Sequence, residues 1–298
     1  MIDSGGLDAQ LAALDSGGAF VVRPSWRVVA VAGTDARRWL DDLVTAGVGR
    51  LEPGRARRSL VLTPTGRIRA DVQVAPTDGT ILLLQDPRQP RAVEDILAPY
   101  VLSSAVSLEA TELLVVCAPG GDAGPPAAPS GILLRPSMLG GGFDVVCRPE
   151  EVEELRRSLA PGRTEVGEAA VEAARVVRGV ARFPVDVDET SLPAEADLVE
   201  SAIDLSKGCF LGQESVARLR NRGHPPRIVR SLRADGRVAV GDATIADGVD
   251  VGIVTSAFSA DVDGGVVSWA LARVRWASRD GELTTASGVR LLRRESPA

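Results

Sequence analysis

The segment from Arg227 onward alternates short β-prone runs with Gly-Asp or Asp-Gly turns. Short runs at even spacing, each broken by turn residues, are typical of antiparallel strands in small all-β domains. We therefore expect the C-terminal part of the chain to be a small antiparallel β-barrel or sandwich. The predicted strands are Ile228–Ala234, Val249–Ala257, Gly265–Val274 and Val289–Arg293.

The preceding part of the chain mixes helical and β-like patterns, so the expected fold class is α+β. Trp26–Ala32 is predicted to be a strand, and Thr34 to be the N-cap of an amphipathic helix over Asp35–Thr45. Residues 1–20 are predicted to be a helical or loosely structured lead-in. The other predicted elements are strands Arg58–Thr63 and Ile68–Ala75 around the turn Pro64-Thr65-Gly66, strand Ile81–Leu84, helix Pro90–Tyr100, strand Val101–Leu108, strand Gly142–Cys147, helices Glu150–Leu159 and Glu165–Arg178, and a loop over Phe183–Leu198.

Two changes of pattern suggest domain boundaries. Ala118–Ser130 is rich in Pro, Gly and Ala and is predicted to be a surface loop or linker. The second change is the β-rich pattern that begins at Arg227. These boundaries divide the chain into three parts, 1–117, 118–226 and 227–298, and no internal repeat is visible.

Composition argues against several classes of protein. The chain has 298 residues, of which 45% are hydrophobic and 25% are charged, as in an ordinary soluble globular protein. No apolar run reaches the ~18 residues of a membrane helix, and the N-terminus lacks a signal-peptide pattern, so we expect a cytoplasmic protein without a membrane partner. The formal net charge of −6 argues against strong general nucleic-acid binding, which needs an excess of positive charge.

The three cysteines, Cys117, Cys147 and Cys209, are far apart in the sequence, and none stands at C-x-x-C spacing. We therefore expect no resident metal: a self-contained zinc or iron–sulfur site is not predicted, and neither is a structural disulfide. Cys117 and Cys147 lie in apolar, strand-like runs and are expected to be small buried hydrophobic residues.

The strongest signal in the sequence is the segment Lys207-Gly208-Cys209-Phe210-Leu211-Gly212-Gln213-Glu214. Glycines flank Cys209, so the backbone can turn tightly or approach a ligand closely. A helix predicted to follow, and the nearby ammonium of Lys207, both favour the thiolate form, which attacks electrophiles and binds metals. The alternative is that Cys209 is another buried, unreactive thiol.

Lys207 is the one lysine among 34 basic residues. A GC-rich genome would account for the arginines. However, an ammonium is a compact, titratable charge, whereas a guanidinium is a broad, permanently charged fork. Two interpretations stay open: Lys207 is an accident of composition, or its site requires an ammonium.

Basic residues dominate the chain between Lys207 and Arg230, where six of them stand against a single acid, Glu214. In an acidic protein this pattern predicts a site for an anion. The alternative is that the arginines form only the solvated face of a helix. His224, which precedes two prolines, is expected to be a solvated loop residue.

Segment 207–214 resembles the K-G-C-[FY]-x-G-Q-E signature of the YgfZ-like proteins, and it matches at every fixed position. These proteins are a branch of the folate-binding superfamily of the glycine-cleavage T-protein. Arg218 and Gly223 also stand where the family usually has an arginine and a glycine. Three further regions resemble the family: the strand–helix unit Val31-Ala32-Gly33-Thr34-Asp35 with Thr45, the glycine turn Pro64-Thr65-Gly66-Arg67-Ile68, and the terminal β segment.

The resemblance implies a T-protein-like fold, in which α/β units form a folate-binding ring with a central channel and a small C-terminal antiparallel β-barrel follows. Parts 1–117 and 118–226 would form the ring, and 227–298 the barrel. The implied cofactor is tetrahydrofolate or another reduced folate. The implied function is to assist the assembly or repair of iron–sulfur client enzymes, including some that thiolate tRNA, and whether the chain itself catalyses a reaction stays open.

The resemblance also assigns site residues. Activity in the family depends on the cysteine of the signature, so Cys209 and its neighbour Lys207 are the predicted functional centre. The tryptophan that opens the first strand is a folate contact in the family and corresponds to Trp26; the alternative is a half-buried core aromatic. Asp71 is a second folate-binding candidate. The predicted supporting residues are Gly208, Gly212, Gln213, Glu214 and Arg218.

Two departures from the superfamily bear on mechanism. Aminomethyltransferases carry an adjacent Asp pair after the glycine turn, where this chain has Ala70-Asp71, so one carboxylate that could handle a proton is missing. The superfamily's pterin-recognising glutamate corresponds to Val180. Two alternatives therefore stay open beside the accessory role: a folate-dependent aminomethyltransferase, and a non-catalytic RNA- or protein-binding module that uses the patch Arg218–Arg230.

Overall fold

The computed structural model describes residues 4–120, 131–262 and 265–294. They form two compact units, one consisting of residues up to Ala170 with Glu200–Gln213, the other of Val171–Val199 with residues from Glu214 onward. The predicted domain boundary after residue 117 falls inside the strand Leu114–Ala118, and the division into three domains stays a prediction. Residues 121–130 of the predicted linker lie outside the described residues.

Helices and short strands alternate through the first unit, and strands dominate the second. In chain order the elements are α1 Ser4–Ser16, β1 Ala19–Arg23, β2 Arg27–Ala32, α2 Ala36–Leu43, β3 Arg57–Leu62, β4 Ile68–Pro76, β5 Ile81–Gln85, α3 Val93–Leu97, β6 Ser107–Ala110, β7 Leu114–Ala118, β8 Ile132–Leu134, β9 Phe143–Cys147, α4 Val152–Leu159, β10 Thr164–Glu165, α5 Glu168–Arg178, α6 Leu198–Ala202, α7 Gln213–Arg222, β11 Arg227–Asp235, β12 Ala243–Ala246, β13 Val249–Val262, β14 Gly265–Arg275, β15 Leu283–Thr285 and β16 Arg290–Arg293.

The first sheet has the strand order β3-β4-β5-β2-β6, and all neighbouring strands are antiparallel. Helices α2 and α3 cover one of its faces, with Trp39 and Leu40 of α2 and Ile96 of α3 in the shared apolar core. Leu40 is completely buried, which contributes about 2 kcal/mol relative to an exposed leucine. The predicted amphipathic helix is thus confirmed, and its apolar face is what attaches it to the sheet.

The N-cap predicted at Thr34 is wrong. Helix α2 begins at Ala36, and Asp35 occupies the N-cap position without a side-chain capping hydrogen bond. The Asp35 carboxylate accepts the backbone N–H of Ala105 at 2.8 Å instead. The distant segment that precedes β6 therefore takes the carboxylate that could have capped the helix.

The second sheet of this unit has the order β10-β1-β7-β9-β8. Strand β1 pairs in parallel with β10 and antiparallel with β7, and α4 packs on the sheet through Leu155 and Leu159. The strand predicted over Val101–Leu108 is wrong in its first part, because the chain turns there and Leu102 has a positive φ of 44°. Strand β6 begins only at Ser107.

The C-terminal strands close into a barrel with the order β11-β14-β13-β12-β15-β16, and β16 returns to β11. All pairings are antiparallel, so the barrel is confirmed and the sandwich alternative is not. Leu232, Val254 and Ala272 lie in its apolar core. Short strands β12 and β15 were not predicted from the sequence, although they are required for closure.

Strand β9 in the first unit carries a buried carboxyl group, that of Asp144. Asp144 is completely buried, and it accepts hydrogen bonds from the Ser137 hydroxyl at 2.5 Å and from the Met138 N–H at 2.8 Å. Burial raises the pKa of Asp144 to about 6, although these hydrogen bonds and one from the Cys117 thiol oppose the shift. The carboxyl is therefore easier to protonate in the folded protein than in an unfolded chain.

This raised pKa predicts a specific pH dependence of stability. An unfolded aspartate titrates near pH ~3.9, so the contribution of protonated Asp144 is complete below that pH and is lost as the pH rises through about 6. The loss should be roughly 3 kcal/mol, since one pKa unit corresponds to about 1.4 kcal/mol. In urea unfolding, the free energy of unfolding of the protein minus that of Asp144→Asn should fall by that amount between about pH 4 and 7. A constant difference contradicts the prediction.

Candidate functional site

Cys209 differs from the other two cysteines in its exposure. Cys209 is exposed, whereas Cys117 and Cys147 are buried. Burial and the nearby Asp144 raise the pKa of Cys117 well above its usual value. Burial, with a contribution from Glu151, raises the pKa of Cys147 to about 11. The two buried thiols therefore stay protonated and shielded, as predicted from their apolar runs.

The segment that carries Cys209 is attached to the first sheet upstream of the cysteine. The buried Thr45 hydroxyl donates to the Ala202 carbonyl at 2.7 Å and accepts the Leu60 N–H at 2.8 Å. The Asp204 N–H donates to the Thr45 carbonyl at 2.9 Å. Thr45, a residue of the family resemblance, thus joins β3 to the chain that leads into the cysteine segment.

Lys207 lies at the C-terminal end of α2. Its ammonium donates to the carbonyls of Asp41, Val44 and Ala46, the last two at 2.7 and 3.1 Å. Only 6% of its side chain is exposed, and Nζ lies 3.5 Å from the Asp41 carboxylate. Burial lowers the pKa of Lys207, while Asp41 opposes that shift. The sequence indicated that this lysine was unusual, and the structure shows which groups it binds.

Downstream of the cysteine, Gly212 packs on the glycine turn between β3 and β4. Its φ is +85°, and a Cβ there would lie 2.6 Å from the Thr63 carbonyl oxygen and 3.2 Å from the Gly66 Cα. Gly208 is different, because a Cβ at that position would meet nothing within 4 Å. The cysteine segment is therefore fixed on both sides, while Gly208 and Cys209 are exposed between the two attachments.

The two glycines should respond differently to substitution. Gly212→Ala should lower the free energy of unfolding by ~2 kcal/mol or more, because alanine is strained at this φ and collides with the Thr63 backbone. Gly208→Ala is the matched control and should change stability by less than ~0.5 kcal/mol. Urea unfolding measures both values. Equal effects of the two substitutions would contradict the packing of Gly212 on the turn.

The remaining residues of the signature lie at the start of α7. The Gln213 N–H donates to the Phe210 carbonyl at 3.1 Å, which closes the turn before the helix. Glu214 and Arg218 form an i,i+4 ion pair at 2.6 Å, with 85% and 73% of their side chains exposed. Such an exposed pair stabilises a helix by only a few tenths of a kcal/mol.

The two predicted folate residues lie at the same end of the first sheet. Gln85, the last residue of β5, pairs with Arg27 of β2 on one side and with Val72 of β4 on the other. Trp26 and Asp71 directly precede these partners, so two strand spacings, roughly 10 Å, separate them. Trp26 is half-buried, and the Arg23 guanidinium lies 4.6 Å from the centre of its ring.

Asp71 is held by a second arginine. Arg58 forms a bidentate ion pair with its carboxylate, with Nε and Nη2 at 3.0 and 2.5 Å from the two oxygens. Burial opposes the charge on Arg58, but Asp71 outweighs this effect and raises the pKa of Arg58. Gln89 bonds both the N–H and the carbonyl of Asp71, at 3.0 and 2.6 Å. No sequence signal distinguished Arg58 or Gln89 beforehand.

Ala70 and Asp71 point to opposite faces of β4, as adjacent residues on a strand must. Ala70 is completely buried in the apolar core beneath α2 and α3. A carboxylate at position 70 would therefore lie among hydrocarbon side chains in this protein. The alanine at position 70 therefore matches the apolar packing on this face of the sheet.

Val180, which the resemblance aligns with the superfamily's glutamate, lies in the second unit. It is 46% exposed, and its carbonyl accepts a hydrogen bond from Arg175 at 2.6 Å. Arg175 is buried and also pairs with Asp186 at 2.7 Å. This segment is therefore fixed by its own ion pairs.

The basic patch is less uniform than its sequence suggests. Arg230 is largely buried, and its Nε donates to the Arg279 carbonyl at 3.2 Å; burial lowers its pKa, with the charge of Arg293 adding to the effect. Arg227 and Arg275 are exposed cross-strand neighbours on β11 and β14. Among the described residues, neither of these two has an acidic partner.

His224 is exposed, as predicted for a loop residue, and it lies beside the same end of the barrel. Its ring stacks on Trp276, with centroids 5.0 Å apart and an interplanar angle of 2°. The Arg279 guanidinium also lies 4.5 Å from the centre of the Trp276 ring. Aromatic rings and guanidinium groups therefore adjoin at this surface.

No family model matches the chain. An aminomethyltransferase from Rubrobacter xylanophilus is 28% identical over 268 residues, covering 76% of this chain and 68% of that protein. A mitochondrial iron–sulfur cluster assembly factor IBA57 homolog from Pyricularia oryzae is 27% identical over 216 residues, 68% of this chain and 54% of its own length. The crystal structure of glycine cleavage system aminomethyltransferase T from Bartonella henselae has a TM-score of 0.79 and 17% identity, and it covers 97% of this chain and 88% of that one.

The fold is therefore that of the T-protein: a mixed α/β body with a closed antiparallel barrel at the C-terminus. Sequence similarity reaches both aminomethyltransferases and IBA57-type assembly factors, so the predicted resemblance to the T-protein superfamily is confirmed. The chain spans about half the length of the IBA57 homolog. Within residues 4–120, 131–262 and 265–294, no helix combines the length and apolar character needed to cross a membrane.

Proposed function

We propose that this chain is a cytoplasmic, YgfZ-like accessory protein that binds folate and supports the assembly or repair of iron–sulfur enzymes, including enzymes that modify tRNA. The observation that carries the proposal is the display of Cys209: it is the exposed cysteine of the three, on a segment fixed on both sides. Iron–sulfur cluster assembly in the names of the IBA57-type relatives supports the same role.

Cys209 would act as one ligand or one nucleophile. Among the described residues, no three or more His, Cys, Asp and Glu side chains are grouped as a metal site requires. A cluster usually takes four cysteine ligands, so a cluster or a sulfur species handled here would be shared with the client protein. An exposed thiol suits such an exchange, because a client's metal or persulfide must reach it directly.

The residues around Trp26 and Asp71 fit a reduced folate. The half-buried Trp26 ring offers a surface for stacking a pterin. Arg58 forms an ion pair with the Asp71 carboxylate, and a carboxylate that accepts from Arg58 has lone pairs left for a pterin amino group. When bound, the folate would supply one-carbon chemistry or a structural signal, and these residues would bind and orient its ring.

Aminomethyl transfer is less well supported, although several relatives carry that name. That reading needs a second carboxylate beside Asp71, and position 70 is an alanine enclosed in the core. It would also need the pterin-binding glutamate, and Val180 offers no polar side chain. The chain therefore retains the superfamily's scaffold without two of its expected polar groups.

Binding of an anionic partner at the barrel is the second candidate function. Arg227 and Arg275 are directly opposite each other, and like charges in that position destabilise a sheet. A phosphate between them would remove the repulsion, and the stacked rings of His224 and Trp276 beside them favour an RNA over an acidic protein.

The accessory function predicts that Cys209 is the reactive thiol and that the role depends on it. At pH 7 a thiol-alkylating reagent should modify Cys209 at least ~100 times faster than Cys117 or Cys147, because the latter are buried and protonated. In a strain lacking this gene, Cys209→Ser should fail to restore iron–sulfur enzyme activity, while Cys147→Ser, the control, should restore it. Full restoration by Cys209→Ser would overturn the proposal.

Folate binding predicts a signal from Trp26. A bound pterin next to the indole should quench its fluorescence, and Trp26→Phe should remove most of the change. Trp276→Phe is the control and should keep it, because Trp276 stacks on His224 and packs against the barrel core instead of the proposed folate residues. Calorimetric titration with tetrahydrofolate that shows no binding at millimolar concentration would contradict the folate part of the proposal, independently of the result for Cys209.

A further inference from the structure

Every hydrogen-bond donor of Lys207 is already occupied. An ammonium has three N–H groups, and the carbonyls of Asp41, Val44 and Ala46 accept from them. The side chain is 6% exposed, so solvent and ligands reach little of it. No donor is left over for a thiolate or a substrate at Cys209.

The acceptors belong to the end of α2 and the residues that follow it. The last carbonyls of a helix lack partners within the helix, and a cation at this end also complements the helix dipole. The Asp41 carboxylate, 3.5 Å from Nζ, accepts the N–H groups of Val48 at 2.6 Å and Gly49 at 3.1 Å. The pair Lys207–Asp41 therefore binds the helix end, the segment after it and the cysteine segment into one unit.

The ring of Phe210 also lies near the Lys207 ammonium. Its centroid is 5.4 Å from Nζ, and the residue is buried. An ammonium that is largely removed from solvent is attracted to the electron-rich face of an aromatic ring. Lys207 thus contacts both the end of α2 and Phe210, the residue that follows the exposed Cys209.

We propose that Lys207 is a positioning residue: its ammonium anchors the segment that displays Cys209, and it does not activate the thiol by charge. The inference rests on the proposed role of Cys209 and adds the means by which the thiol is presented. It also explains the single lysine of the chain. Three converging carbonyls suit the tetrahedral ammonium, whereas a planar guanidinium directs its five donors outward in a fork.

The test separates position from charge by comparing Lys207→Met with Lys207→Arg in the full-length protein. If Lys207 is a positioning residue, both variants should speed amide hydrogen exchange in residues 44–49 and 207–211 by about tenfold or more. Both variants lose the contact of the ammonium with the three carbonyls. The pH of half-maximal alkylation of Cys209 should shift by less than ~0.3 in either variant. If Lys207 acts by charge, Met should raise that pH by ~1 or more, and Arg should not.

Asp41 provides a second, milder probe in case Lys207→Met unfolds the protein. Asp41→Asn should also speed exchange in residues 44–49. In the double variant Asp41→Asn/Lys207→Arg, the rate increase over the unmodified protein should be much smaller than the product of the two single-variant increases, because the two side chains form one contact. Asp42→Asn, next to it and exposed, is the control and should leave exchange unchanged. Additive effects, or unchanged exchange in Lys207→Arg, would overturn the proposal.

These measurements use purified protein and do not depend on iron–sulfur enzymes. If Cys209→Ser keeps full function, the proposed function is rejected, but the positioning role of Lys207 is not affected. If the Lys207 variants show unchanged exchange, the positioning role of Lys207 is rejected, but the proposed function is not affected.

Discussion

The buried hydroxyl of Thr45 is the contact on which the candidate site depends. It bridges the Leu60 N–H of β3 and the Ala202 carbonyl, two groups that the sequence separates widely. The chain belongs to the second unit over Val171–Val199 and returns to the first at Glu200. An unpaired buried hydroxyl or N–H costs about 1–3 kcal/mol, so the bridge also specifies where the returning chain must lie. The Lys207 and Gly212 contacts hold the same returning segment against the first unit.

The parts of the fold that the sequence predicts are the local ones. The β3–β4 hairpin and the longer barrel strands follow from alternation and turn residues within a few positions of each other. Strands β1 and β10 do not, because they are short and their partner strands lie far away in the sequence. The Val166 N–H bonds the Phe20 carbonyl at 2.9 Å, which extends this pairing and delays α5 to Glu168, three residues after its predicted start.

In the candidate site, too, local features could be predicted from the sequence and long-range contacts could not. The cysteine segment was predicted as a unit, because its glycines, lysine and cysteine are consecutive. The partners of its residues were not, since Asp41 and Thr63 lie far away in sequence and resemble any other surface aspartate or threonine. Arg58 is one of 33 arginines, and only the register of β3 against β4 reveals that it faces Asp71. The alternation of faces along β4 likewise separates Ala70, which lies in the apolar core, from Asp71, which pairs with Arg58.

The β3–β4 hairpin carries both halves of the proposed site. Asp71 stands three residues into β4, roughly 10 Å along the strand from its beginning at Ile68, and Gly212 packs on the turn just before that strand. A displacement of the hairpin would therefore move the cysteine segment and Asp71 together. If Cys209 meets a group on another protein while the folate residues hold a small molecule, as proposed, one rigid hairpin would couple the two events without a contact between the ligand and the thiol. That coupling requires the cysteine segment to be fixed to the hairpin, and the contacts of Thr45 with Leu60 and of Gly212 with the turn provide this attachment.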